Sequence, residues 1–261
     1  MQLVIDVGNT ETLVGVFGEE AEDPSASWRI STGVARTPDE YRLLLDSLLE
    51  RSGIPSDDLL QAVMGSVVPS TTDVIATTLE RLLGRAPLVV DSEMALPIRL
   101  DVEEPRTVGA DRIVNTLAAK IRFGRDTVVV DLGTATTFDC ITADGVFLGG
   151  VIAPGIQAGI EWLGRRTAKL PGVELRPPEA VIGRRTEACI RSGVFYSAVD
   201  AIDGIVRRIR TEWQRPDALV VATGGYAAVL GSHAATVDRV EPHLTLQGLA
   251  FAGRHVGDGG S

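Results

Sequence analysis

The chain opens on three consecutive apolar residues, Leu3, Val4 and Ile5, which run straight into Asp6-Val7-Gly8-Asn9-Thr10. A short apolar run bounded by turn residues reads as a strand buried on both faces. A second apolar run, residues 12–17, follows so closely that the pair reads as a β-hairpin. The acidic stretch Gly18-Glu19-Glu20-Ala21-Glu22-Asp23-Pro24 reads as a solvated loop, and residues 27–31 as a returning third strand. Helical spacing starts at Thr37-Pro38-Asp39-Glu40, where a threonine cap, a proline in the first turn and a glutamate three residues on announce a helix. Leu43, Leu44, Leu45, Leu48 and Leu49 form its apolar side. Residues 62–68 and 86–90 read as further strands, with a helix between them near 72–83.

The pattern then begins again. Asp126-Thr127-Val128-Val129-Val130-Asp131-Leu132-Gly133 is another apolar strand ending in Asp-x-Gly, and residues 138–141 follow it through the same tight reversal. Aligned, Asp6 matches Asp131, Gly8 matches Gly133 and Thr12 matches Thr137, close to half of the 261-residue chain apart. Two strand–Asp-x-Gly–strand units at that spacing argue for an internal duplication. They predict two α/β domains, 1–120 and 121–261, with a nucleotide in the cleft between them. The closing Gly257-Asp258-Gly259-Gly260-Ser261 reads as a frayed tail.

Composition narrows the function. With 35 acidic against 25 basic residues the net charge is -10, which repels a nucleic-acid backbone but leaves room for ATP, since amides, helix N-termini and cations neutralise phosphates locally. Cys140 and Cys189 stand at no metal-like spacing, and His233, His243 and His255 form no tight cluster, so a disulfide framework or zinc site is not expected. No apolar run approaches the ~20 residues of a membrane span. The first residues meet Asp6 at once and lack a basic leader, so cytoplasmic residence is expected by elimination.

Each Asp-x-Gly turn has a physical use. Gly8 and Gly133 let the backbone approach an oxyanion, and the hydroxyls of Thr10, Thr12, Thr134, Thr136 and Thr137 add donors. The carboxylates of Asp6 and Asp131 cannot bind phosphate themselves, so a cation must stand between. Walker and protein-kinase signatures are absent from the sequence. Val108-Gly109-Ala110-Asp111-Arg112 opens an apolar helical run through Ile113, Val114, Leu117, Ala118 and Ala119. There Asp111 could accept a hydroxyl proton while Arg112 pairs with a carboxylate; a capping acid beside a surface arginine is an equally good reading of those residues alone. Gly149-Gly150-Val151-Ile152-Ala153-Pro154-Gly155 and the strand-to-helix segment Ala218-Leu219-Val220-Val221-Ala222-Thr223-Gly224-Gly225 are weaker signals, the second suited to an adenosine face.

Asp6-x-Gly8-Asn9-Thr10, Gly109-x-Asp111-Arg112, Asp131-x-Gly133-Thr134-x-Thr136-Thr137 and Thr167-Ala168-x-Leu170-Pro171 occur in that order. Trp28-Arg29-Ile30-Ser31-Thr32, Ser66-Val67-Val68-Pro69 and Gly183-x-x-Thr186 accompany them. The chain thereby resembles the type III pantothenate kinases from residue 1 to about residue 250. The resemblance implies duplicated ribonuclease-H-like domains of the acetate and sugar kinase/heat-shock chaperone/actin superfamily. It implies phosphorylation of pantothenate by Mg-ATP, the first step of coenzyme A biosynthesis, in a homodimer. It makes Asp111 the general base, and Gly109, Ala110, Asp111, Arg112 and Thr186 the pantothenate contacts. Asp6, Val7, Gly8, Asn9, Thr10, Glu11, Thr12, Leu13 and Thr134 become the ATP contacts, and Asp131 the ligand of a monovalent cation, potassium or ammonium. One departure is the stretch Asp101-Val102-Glu103-Glu104-Pro105, where many members carry a tyrosine that contacts pantothenate and Val102 takes its place. A non-catalytic regulatory relative and a phosphoanhydride hydrolase on the same fold are the alternatives at this stage.

Overall fold

The computed structural model describes residues 1–166 and 172–258. Strand β1 (Gln2–Val7), β2 (Glu11–Phe17) and β3 (Ala26–Ser31) lead to α1 (Pro38–Arg51), β4 (Gln61–Ser66), α2 (Pro69–Leu83), β5 (Leu88–Val89), the two-residue β6 (Arg99–Leu100) and α3 (Ala110–Phe123). There follow β7 (Thr127–Leu132), β8 (Ala135–Ile141), β9 (Val146–Pro154), α4 (Ile156–Arg166), α5 (Thr186–Trp213), β10 (Leu219–Thr223), α6 (Ala227–Leu230), β11 (Arg239–Val240) and α7 (Leu244–Asp258). The chain divides into two compact units: Met1–Arg122 together with the stretch from His243 onward, and Phe123–Pro242. Helix α7 therefore stands with the first unit, whereas a division at residue 120 puts it with the second.

The strands of the first unit run in the order β3-β2-β1-β4-β5, and those of the second β11-β10-β7-β8-β9. In each unit three antiparallel strands are followed by two parallel ones, β4 beside β1 and β10 beside β7. The duplication read from two short motifs is thus a duplication of whole sheets. Helix α7 is the next helix after β11 as α3 is the next helix after β5, so the two helices hold equivalent places in the repeats.

The uninterrupted apolar run of β1 exists because both faces of the strand are covered. Leu3, Ile5 and Val7 meet Tyr41, Leu45, Leu49, Ile75 and Leu79 of α1 and α2. Val4 points the other way, toward α7: a methyl built on Gly15 would lie 3.3 Å from Val4 Cγ2 and 3.2 Å from Leu246 Cδ1. In the second unit Val128, Val130, Leu132, Phe138, Val220 and Ala222 pack against Phe195, Val199, Ile202 and Val206 of α5.

The capping signal at Thr37 is a capping box: the Glu40 amide donates to Thr37 Oγ1 at 3.3 Å and the Thr37 amide to Glu40 Oε2 at 2.7 Å. Helix α2 starts three residues earlier than its apolar spacing suggests. Pro69 sets the first turn, and the residue before it, Val68, stays out of the helical region with φ -126° and ψ 88°. The expected strand 62–68 accordingly stops at Ser66, whose Oγ accepts from the Val68 amide and from Thr72 Oγ1. At the C-terminus, Gly257 and Asp258 continue α7 instead of fraying.

Candidate active site

Strands β1 and β2 pair Asp6 with Leu13 and Val7 with Thr12, leaving Gly8-Asn9-Thr10-Glu11 as the turn. The Gly8 amide closes it by donating to the Glu11 carbonyl at 3.1 Å. A Cβ on Gly8 would fall 2.9 Å from that oxygen, so this glycine is required by the turn itself. Strand β3 pins the far side: the Thr32 amide donates to the Thr10 carbonyl at 2.9 Å, and Arg29 pairs with Glu11 at 3.0 Å. Asn9, Thr10 and Glu11 are exposed, while Thr12 is buried with its hydroxyl 2.8 Å from that of Thr32. The Thr12 hydroxyl is therefore engaged on the inner side of the sheet, and only its backbone remains at the turn.

The second turn is one residue shorter. Leu132 pairs with Thr136, so Gly133-Thr134-Ala135 suffices, closed by a 3.1 Å bond from the Gly133 amide to the Ala135 carbonyl. By register Thr12 corresponds to Thr136; matching it to Thr137 slips by one residue after the turn. Two segments singled out as weak signals meet here. A side chain on Gly155 would lie 2.7 Å from the Thr134 carbonyl carbon, so the end of β9 packs directly against the turn. Gly224, at φ +90°, abuts Asp131 Oδ1 and leaves no space for a Cβ, and the Tyr226 amide donates to the Leu132 carbonyl at 3.0 Å. Asp131, the exposed Thr134 and the Gly224-Gly225 segment are thus one cluster in the second unit.

Helix α3 starts where the amides of Arg112 and Ile113 donate to the Gly109 carbonyl, at 3.1 and 3.2 Å. Asp111 Oδ1 accepts from the Arg112 amide at 2.8 Å and folds back over Gly109, where a Cβ would collide with it. Burial pushes the Asp111 carboxyl above its ordinary range; the Arg112 amide and the Arg112 charge pull it back only in part. A partly desolvated carboxylate can accept a proton, while the guanidinium of the neighbouring arginine can orient a negatively charged substrate.

Gly65 brings this helix to the first turn. It pairs with Asp6 across β4 and β1, and a methyl on it would stand 3.2 Å from Ala110 Cβ and 4.0 Å from Asp6 Oδ1. Asp6, the Gly8–Glu11 turn and Gly109-Ala110-Asp111-Arg112 therefore share one end of the first unit. Sequence reasoning passed over Gly65, although a lone glycine inside an apolar strand signals just such a close approach. Thr186 is the exposed first residue of α5 in the second unit. The glycine of its motif is explained locally: a Cβ on Gly183 would fall 2.7 Å from the Ala188 carbonyl carbon. The Thr167-Ala168-Lys169-Leu170-Pro171 segment lies outside the described residues.

Known proteins place this arrangement. Residues 2–208 match the family model for type III pantothenate kinase. Over 249 residues the chain is 45% identical to the type III pantothenate kinase of Syntrophotalea carbinolica, covering 95% of this chain and 96% of that one. It is 42% identical to that of Moorella thermoacetica, again over 249 residues, with 95% and 97% covered. Among solved structures, the ethanolamine utilization protein EutJ of Carboxydothermus hydrogenoformans superposes with a TM-score of 0.57 at 17% identity, over 96% of this chain and 89% of that one. Component A of the Acidaminococcus fermentans (R)-2-hydroxyglutaryl-CoA dehydratase gives 0.55 at 13% identity, over 97% and 96%. At such identities the structural likeness speaks for the fold. The two repeated units have the duplicated ribonuclease-H-like fold. Within that fold class, the chain belongs to the type III pantothenate kinase family.

Proposed function

We propose that this chain transfers the terminal phosphoryl group of ATP to the primary hydroxyl of pantothenate, the first step of coenzyme A biosynthesis. The observation that carries the reading is the bare Gly65, which lets the helix bearing Asp111 settle beside Asp6 and its turn. Phosphoryl transfer needs positioning, charge neutralisation and one proton acceptor, and no covalent intermediate. Asp111 takes the hydroxyl proton, a role its raised proton affinity favours. Gly109, Ala110, Arg112 and Thr186 are the other pantothenate contacts, with Arg112 the partner of its carboxylate.

Asp6, Val7, Gly8, Asn9, Thr10, Glu11, Thr12 and Leu13, with Thr134, are the ATP contacts. Thr12 serves through its backbone, since its hydroxyl is engaged with Thr32. Asp6 would hold the magnesium ion that accompanies ATP, directly or through water. Gly133 supports a close ligand at the second turn. A Cβ there would meet nothing nearer than 3.6 Å, so the fold does not demand glycine, whereas a closely approaching phosphate does.

Asp131 suits a monovalent cation, potassium or ammonium. Its Oδ1 is tucked against Gly224 in space a side chain would fill. Unit negative charges 4 Å apart repel by ~4 kcal/mol at an effective dielectric of 20, which a bound cation offsets. Among the described residues no group of three or more His, Cys, Asp or Glu side chains gathers to hold a metal, so backbone carbonyls, water or the nucleotide complete the ligand set. The assembly is a homodimer, the commonest closed arrangement, and the enzyme works in the cytoplasm. Among the described residues no helix is long and apolar enough to cross a membrane.

Incubation with pantothenate and Mg-ATP, followed by mass detection, tests the reading. Phosphopantothenate forming in step with ADP supports it. Phosphate released from ATP with no alcohol acceptor would make the protein a hydrolase, and ATP binding without turnover a non-catalytic relative.

A further inference from the structure

Helix α7 belongs by topology to the second repeat, yet it packs on β1 and β4. Gln2 Nε2 donates to the Ala250 carbonyl at 3.0 Å, and a methyl on Gly253 would fall 2.6 Å from Val63 Cγ2. It also crosses α3. Gly248 presses on the Val114 peptide so closely that a methyl would stand 2.6 Å from the carbonyl carbon and 2.9 Å from Val114 Cβ. One turn earlier along α7, Thr245 Oγ1 donates to Asn115 Oδ1 at 3.0 Å, and beside Gly248 the Gln247 Oε1 accepts from Arg122 Nη1 at 2.7 Å. Asn115 is fully buried and Thr245 is 5% exposed. Asn115 also follows Asp111 by one helical turn, roughly 6 Å along the axis and on the same face.

We propose that Thr245 and Asn115 are positioning residues: their hydrogen bond fixes the rotation and register of α3 on α7, and so sets where Asp111 stands relative to the Asp6 turn. This rests on Asp111 being the proton acceptor. The argument is the polarity of the seam. Among the described residues the buried Nδ2 of Asn115 has no hydrogen-bond partner, a destabilising arrangement that leucine would avoid. A leucine–valine pair would fill the same place, but apolar contacts let two helices slide or rotate past one another. A directional hydrogen bond holds one register, as a buried asparagine does in a coiled coil. Helix α3 is thus gripped on either side of Asp111: at Ala110 by Gly65, and at Val114 and Asn115 by α7. Since α7 also lies on β1, the proton acceptor and the phosphate turn are referenced to one helix.

The test is the double variant Asn115→Leu with Thr245→Val, compared with Thr245→Ser, Thr245→Val alone and Asp111→Asn. Positioning predicts that the double variant keeps or raises the melting temperature and binds an ATP analogue within about two-fold of the parent, yet loses kcat by ~10–100-fold, the usual cost of a small misplacement. The acid limb of its kcat/KM profile moves to lower pH, because a shifted α3 readmits water to the Asp111 carboxyl. Thr245→Ser, which keeps the hydroxyl, retains the parent's kcat and profile. If the double variant does not fold, Thr245→Val alone carries the same expectation for kcat and the pH profile, with a lower melting temperature because the buried Asn115 Oδ1 loses its donor. A folded seam variant with the parent's kcat and pH profile overturns the proposal and leaves Asp111 untouched. Normal turnover in Asp111→Asn overturns the proton-acceptor reading instead.

Discussion

Asp111→Asn separates catalysis from folding more cleanly than any other single change. Asparagine keeps the size of the side chain and an oxygen to accept the 2.8 Å bond from the Arg112 amide, but it cannot take a proton. If Asp111 is the general base, kcat falls ~10²–10⁴-fold, about 2.7–5.5 kcal/mol of transition-state stabilisation, while ATP binding stays near that of the parent. Stability moves the other way. Burial raises the carboxyl above its unfolded value, so the stability tied to its protonated form is fully present below the unfolded pKa of about 3.9 and is lost as pH rises through the folded pKa. At neutral pH the parent bears the cost of a desolvated charge and the asparagine variant does not. The variant is therefore expected to melt at the same temperature or higher near pH 7, with the difference closing toward about pH 4. The parent's kcat/KM should rise along an acid limb that lies above the ordinary carboxylate range. A coupled ADP-release assay with thermal melts across that pH range reads all of this. Near-normal turnover in the folded variant would move the base elsewhere. A lower melting temperature at pH 7 would make the carboxylate a structural group and refute the desolvation argument.

Gly133→Ala should fold normally, because its methyl meets Asp131 Oδ1 and the Ala135 carbonyl only at 3.6 and 3.7 Å, and should raise KM for ATP by ~10-fold or more; an unchanged KM would remove the phosphate from this turn. In α5, burial pushes the Asp203 carboxyl up, but donation from Thr236 Oγ1 and the amides of Thr236 and Ala235, with the Arg207 charge, outweighs that and leaves it below the ordinary range. Its contribution is present above the unfolded pKa and lost as pH falls through the folded one, so Asp203→Ala should cost roughly 1.5–3 kcal/mol near neutrality and progressively less in acid by chemical denaturation, with KM unchanged. Activity should rise with potassium in a sodium-free, tris-buffered assay and drop sharply in Asp131→Ala; equal rates with and without potassium or ammonium would sink the cation. Light scattering at micromolar concentration should give a dimer, and a fully active monomer would contradict it.

What the sequence made legible was local. The β1–β2 hairpin, the capping box at Thr37 and the strand leading to Asp131 each rest on residues within a few positions of one another, where pattern and chemistry agree. Thr12 shows how composition misleads. Strict alternation through Val14 and Val16 already puts it on the inward face, yet its place among threonines suggested a phosphate donor. The one-residue difference between the two turns was hidden because register depends on cross-strand pairing, which no alignment of short motifs senses. The place of α7 was further out of reach, since the Gln2–Ala250 contact joins residues 248 apart.

Duplication gives that helix its meaning. Counted from their first residues, Ala110 and Leu244, the fifth residues of α3 and α7 are Val114 and Gly248, the pair in closest approach. The second residues are Asp111 and Thr245. Equivalent helices thus cross near equivalent positions. At the second position one copy carries the candidate base, and the other carries the hydroxyl that bonds Asn115, one turn beyond that base. The two helices thus differ at this position, an acid on one answered by a hydroxyl–amide bond on the other. Thr245→Asp probes that difference: an acid at the equivalent position places a carboxylate against Asn115 in a buried seam. Unless Asn115 Nδ2 turns to meet it, the melting temperature should fall by several degrees, consistent with roughly 1–3 kcal/mol for an unsatisfied buried polar group. A variant as stable as the parent would show that the seam accommodates the acid, and the asymmetry would then carry no structural cost.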